Sequence, residues 1–198
     1  MTQTLKQDLA KKKALIWPLL LSLLTIIFLS TSCQPVDTSP VPCEGGGGKY
    51  ACQGLDGHDI TLEGVPEGVI PNLLYVSPER KQQLLDAPTD GTACVFMIAG
   101  DLDFYRNGEL VTEFESPVTI TYTIEGQDLE AYAKCQAQLV ENKIVESKDQ
   151  VSYFPIYFDN SVWKPFNPDN VSVDTESGVM TVKFTSWGDR PIGGGTQP

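Results

Sequence analysis

Three sets of residues have the types and spacing to do chemistry. The first is five cysteines, Cys33, Cys43, Cys52, Cys94 and Cys135, whose thiols could be acylated, oxidised to disulfides or bound to a metal. Zinc would need thiolates and imidazoles at short, paired spacings. No C-x-x-C pair is present and the single histidine, His58, lies in the loop-like "DGHD", so neither a metal nor a cofactor is expected. The second set is Asp101, Asp103 and Glu109, which bracket the dipeptide Asn107-Gly108. Two carboxylates a few ångströms apart suffice as the acid and base of a glycosidase. The third is His58 alone, the one imidazole available as a base for a serine or cysteine nucleophile. No G-x-S-x-G elbow, phosphate-cradling glycine loop or His-Glu-x-x-His motif accompanies it. The expectation is a chain without catalytic residues that binds or supports; the alternative is a small secreted hydrolase using surface carboxylates.

The segment that positions Cys33 is distinctive. Lys11, Lys12 and Lys13 precede an uncharged apolar run from Ala14 to Leu29, the basic-then-apolar layout of an export signal. The run is shorter than the roughly 20 residues a membrane-spanning helix needs, and Pro18 lacks a backbone N–H within it. Ser30, Thr31 and Ser32 then lead into Cys33. Small residues before a cysteine resemble the lipobox of bacterial lipoproteins, although Ser30 stands where Leu or Val is commonest. The resemblance implies that residues 1–32 are a lipoprotein signal peptide and that Cys33 is acylated and becomes the new N-terminus. Two or three acyl chains, at about 0.8 kcal/mol per buried methylene, would hold the chain on a membrane. The bland alternative is an ordinary signal cut near Ser32 or an uncleaved anchor.

Residues 33–198 carry 10 Lys/Arg against 25 Asp/Glu, a formal charge of −15 on one domain's worth of chain. Nucleic acid demands neutralising cationic patches, so it is excluded as a partner. Four cysteines remain after Cys33, an even count that in an exported chain suggests two disulfides with three pairings open. Cys43 and Cys52 flank "EGGGGKYA", whose glycines let the chain double back, which leaves Cys94 for Cys135. Composition divides the remainder. Residues 33–49 read as a Pro/Gly-rich stalk, 50–190 as the folded domain and 191–198, with "GGGTQP", as a disordered tail.

Within the domain the dominant signal is period-two alternation. "DITLEG", "PVTITYTIEG" and "GVMTVKF" each set apolar residues on one face, the last placing Met180, Val182 and Phe184 toward a core. "ACVFMIAG" reads as a doubly buried strand, and Asn107-Gly108 supplies the positive φ angles of a tight hairpin. Further strand signals are "VSYFPIYF", "SVWKPF" and "NVSVD". Two helices interrupt them. "SPERKQQLLDAP" offers Ser77 as N-cap with Pro78 first in the helix, and "DLEAYAKCQAQLVEN" spaces Leu129, Tyr132, Ala133, Gln136, Leu139 and Val140 at helical intervals. Short antiparallel strands with one or two short helices predict a mainly β fold, a sandwich or partly closed barrel, of which the antiparallel β-sandwich is the expectation.

"NGELVTEFESPVTITYT", "FDNSVWKPF" and "VSVDTESGVMTVKFTSW", in that order, resemble a bacterial extracellular β-sandwich module related to the domain shared by netrin receptors, ankyrins and zonula-occludens proteins. The resemblance spans residues 102–188 and implies an interaction domain. Some relatives cut their own backbone at a His-Phe-Ser step. Here that stretch is Lys183, Phe184, Thr185 and Ser186, and a charged lysine cannot take the proton, so self-cleavage is not expected. Trp163, between Val162 and Lys164 in a strand, is expected in the core, whereas Trp187 beside Gly188 is the candidate ligand-binding aromatic on the surface. The expected partners are a membrane, through the anchor, and a surface protein or glycan on the extracytoplasmic face of a bacterial membrane.

Overall fold

Asn107 (φ 53°) and Gly108 (φ 83°) adopt the left-handed backbone that a two-residue hairpin requires. They turn the chain from β6 (Cys94–Arg106) into β7 (Glu109–Leu110), with Arg106 opposite Glu109. The computed structural model describes residues 39–188 and 190–197; the signal peptide read for 1–32, Cys33 and the start of the stalk lie outside the described residues. Around this hairpin the chain forms two antiparallel sheets. One runs β1 (Val41–Pro42), β5 (Val69–Leu73), β6, β13 (Arg190–Gln197), β9 (Ser152–Asp159) and β10 (Val162–Pro165), with β7 also on β6. The other runs β11 (Val171–Asp174), β12 (Val179–Ser186), β8 (Glu113–Thr123), β4 (Asp59–Glu63), β3 (Lys49–Gln53) and β2 (Glu44–Gly46).

Alternation decides which faces meet. Ile60 and Leu62 of β4, Val118, Ile120 and Tyr122 of β8, and Met180 and Phe184 of β12 pack on Leu102 and Phe104 of β6 and Ile192 of β13 in one buried cluster. Full burial of such side chains contributes roughly 1.5–3 kcal/mol each. Tyr122 adds a directional link between the sheets: its hydroxyl donates to the carbonyl of Gly193 at 2.8 Å. Burial pushes that phenol well above its ordinary pKa, so it remains a donor.

The two helices pack beside β6. In α1 (Pro78–Leu85) the Ser77 hydroxyl accepts from the N–H of Arg80 at 3.1 Å, satisfying an otherwise unpaired donor of the first turn. Leu84 packs with Ile98, Ile156 and Trp163, and the Trp163 indole N–H donates to the Leu84 carbonyl at 2.6 Å, pinning the helix end. Trp163 is thus a core residue. The second helix, α2 (Gln127–Glu141), is tied to the start of β6 by the disulfide Cys94–Cys135, with Cα atoms 6.2 Å apart. Its buried positions are Asp128, Cys135 and Leu139, and Leu129 is 50% exposed. Of the expected stripe, Leu139 is buried, Tyr132 and Val140 pack against the core and Gln136 is half-buried, whereas Leu129 and Ala133 are exposed.

Three sequence expectations need correcting. The stalk read for 33–49 does not extend through its glycine half: Glu44–Gly46 forms a hairpin with Lys49–Gln53, closed by Cys43–Cys52 with Cα atoms 4.7 Å apart. The tail read for 191–198 is, through Gln197, strand β13, hydrogen-bonded between β6 and β9 in the middle of its sheet. Its glycines are there for room. A Cβ on Gly194 would lie 2.6 Å from Phe96 Cζ, and one on Gly195 would lie 2.8 Å from the Thr92 methyl. Trp187 is the third correction. It is 2% exposed, its indole N–H donates to the Leu102 carbonyl at 2.8 Å, and its ring lies 4.4 Å from that of Phe184. A side chain so enclosed presents no ligand-binding surface.

Candidate functional site

The connection from β3 to β4 makes a tight turn at Leu55–Gly57, with Asp56 in the left-handed region at φ 56°. An ion pair from Lys81 of α1 to Asp56 holds that turn against the helix. Just past it, His58 tucks inward and is 4% exposed. Its Nε2 stands 3.3 Å from Oδ2 of Asp128, at the start of α2, within ion-pair distance but without hydrogen-bond alignment.

Asp128 is 8% exposed and lies in the first turn of α2, where the helix macrodipole favours a negative charge. The N–H of Glu125 donates to the same Oδ2 at 3.4 Å, so the carboxylate reaches back over Gly126, which itself supplies no capping side chain. Burial raises this carboxyl above the usual range; His58 and the Glu125 N–H pull it down, Asp56 pushes it up and Lys81 pulls it down. Burial prevails, because both stabilising contacts are long.

Between the turn, α1, α2 and β6 opens a cleft of about 890 Å³. Leu85, Phe96, Ile98 and Ala131 give it an apolar bed; Asp56, Lys81, Glu125, Asp128, Glu130 and Lys134 supply charge. Among the described residues no serine, threonine or cysteine lines it. Among the described residues no group of three metal-ligating side chains exists, and no helix is long and apolar enough to cross a membrane.

The carboxylates singled out in the sequence lie elsewhere. Asp101 and Asp103 share a face of β6; Asp103 is buried and accepts from the Tyr105 hydroxyl at 3.0 Å, and Asp101 borders a separate hollow with Arg80 and Asp159. Glu109 is exposed on β7. Of the predicted set only His58 belongs to the cleft. Asp56, Lys81 and Asp128 were missed because "DGHD" and "GQDLE" lie far apart in sequence, and no spacing rule links them. No family model, curated protein or solved structure matches the chain.

Proposed function

We propose that the chain is a lipid-anchored, extracytoplasmic β-sandwich with a binding task, held on a bacterial membrane through acylated Cys33. The observation that carries this reading is the use of cysteine. Cys43, Cys52, Cys94 and Cys135 are consumed in two bridges, so Cys33 is left as the odd thiol, directly after a basic and then apolar segment. Disulfides of this kind persist in oxidising compartments. From Cys33 to the first strand at Val41 is a reach of at most about 29 Å fully extended, so the domain would work close to the lipid surface. The order of the Asn107-Gly108 hairpin, the Pro117–Val118 strand, the Trp163 strand and the β11–β12 hairpin supports kinship with the netrin-receptor, ankyrin and zonula-occludens type of interaction module. The binding surface that fits is the cleft beside α1 and α2, whose lining offers counter-charges and an apolar bed.

The test is metabolic labelling with a fatty-acid probe. Wild type should take the label and Cys33→Ala should not; equal label on both would end the anchored reading. A second reading, a small hydrolase, draws on one observation: Asp128 is a buried carboxyl with a raised pKa, the kind that can act as a general acid, and further carboxylates share its cleft. Turnover of a chromogenic glycoside or ester that Asp128→Asn abolishes would replace the binding reading with that one.

A further inference from the structure

We propose that the cleft between α1 and α2 takes an alkylammonium group, with Asp128 as its counter-ion and Leu85, Phe96 and Ala131 as the bed for its chain. This deepens the binding reading above and rests on it.

The Asp128 side chain is nine-tenths buried, and its two contacts, from His58 at 3.3 Å and the Glu125 N–H at 3.4 Å, both fall on Oδ2. Among the described residues Oδ1 receives no hydrogen bond, and the side chain lines the cleft. Oδ1 is thus open to the cleft as an acceptor, and an ammonium brings three N–H donors and a full positive charge to it.

Lys81 is committed to Asp56, which leaves Lys134 against Asp128, Glu125 and Glu130. An anion would otherwise suit the start of a helix, but Asp128 already occupies that position with its own carboxylate. A cation is therefore favoured. It is not a metal ion, because no group of three ligating side chains assembles there among the described residues. The apolar bed then selects among cations: it rewards an ammonium on a hydrocarbon stem over a small hydrated ion.

The experiment titrates the full chain calorimetrically at low salt with n-hexylamine, n-hexanol and hexanoate. Saturable binding of hexylamine, weakened about tenfold or more by Asp128→Asn, upholds the proposal. Equal or tighter binding of hexanoate overturns it, as does unchanged hexylamine affinity in a folded Asp128→Asn protein. Should Asp128→Asn fail to fold, Glu125→Gln serves, since Glu125 is exposed; a loss of about threefold upholds the proposal and no loss overturns it. Competition by Nα-acetyl-lysine amide would assign the group to a peptide lysine, and hexylamine binding without such competition would assign it to a free amine. Absence of amine binding with Cys33 labelling intact removes the ligand class alone, whereas Asp128-dependent turnover of a chromogenic substrate removes the binding reading itself.

Discussion

Replacing Trp187 by alanine tests whether this residue is a surface aromatic or the plug of one end of the sandwich. Its ring is enclosed by Phe104, Phe166 and Phe184, and its N–H is spent on the Leu102 carbonyl. Removing a buried indole takes roughly 200 Å² of contact from the core, about 5 kcal/mol at 25 cal/mol per Å². Measured truncations of buried aromatics cost about 3–5 kcal/mol, so about 4 kcal/mol is the working figure. For a domain of this size that lowers the melting temperature by roughly 8–16 °C. Trp187→Phe separates the two contributions: it keeps most of the packing but removes the indole hydrogen bond to the Leu102 carbonyl, at about 0.5–1.5 kcal/mol. The assay is thermal and urea unfolding followed by far-UV circular dichroism under non-reducing conditions, with Trp163→Ala as the reference for an accepted core residue. The expected order of stability is wild type, Trp187→Phe, then Trp187→Ala close to Trp163→Ala. A melting temperature for Trp187→Ala within about 2 °C of wild type, a change below roughly 1 kcal/mol, would refute the plug and return Trp187 to the surface.

Gly194→Ala should destabilise by about 1–3 kcal/mol, because the new methyl would sit 2.6 Å from Phe96 Cζ and 2.8 Å from Met97 Cγ inside a packed sheet; unchanged urea unfolding would show that β13 is not seated there. The pH dependence of stability should carry the mark of Asp128. Its folded carboxyl titrates above the unfolded value of 3.8, so the native state holds the proton more tightly and stability declines as pH rises from 3.8 through the raised folded pKa. Asp128→Asn removes that decline, so its stability relative to wild type should grow across the same window. A relative stability that falls with pH would contradict the burial argument.

What could be read from the sequence is what local chemistry decides. The Asn107-Gly108 turn needs only its own two residues to reverse the chain, and the alternation in β8 and β12 names its inward face whatever the partner is. Ser77 and Pro78 start a helix by satisfying or omitting donors within one turn. The disulfide pairing followed from one easy loop, Cys43 to Cys52, with the second bridge left over. The misreadings of the tail and of Trp187 involved positions whose roles are set by residues distant in sequence. "GGG" at 193–195 has the composition of a loose end, yet its lack of side chains is what admits Phe96, Met97 and Ile156, and no feature of residues 191–198 encodes those neighbours. Trp187 next to glycine looked solvent-facing, but the carbonyl that its indole requires belongs to Leu102 on another strand. The cleft follows the same logic. His58 and Asp128 meet where the turn at Leu55–Gly57 is tied to α1 through Asp56 and Lys81 and Cys94–Cys135 fixes α2 on β6. Two separate tethers, one ionic and one covalent, thus bring a histidine and a carboxylate to a common wall, and Asp128 is left with one oxygen still able to accept a donor from outside the fold.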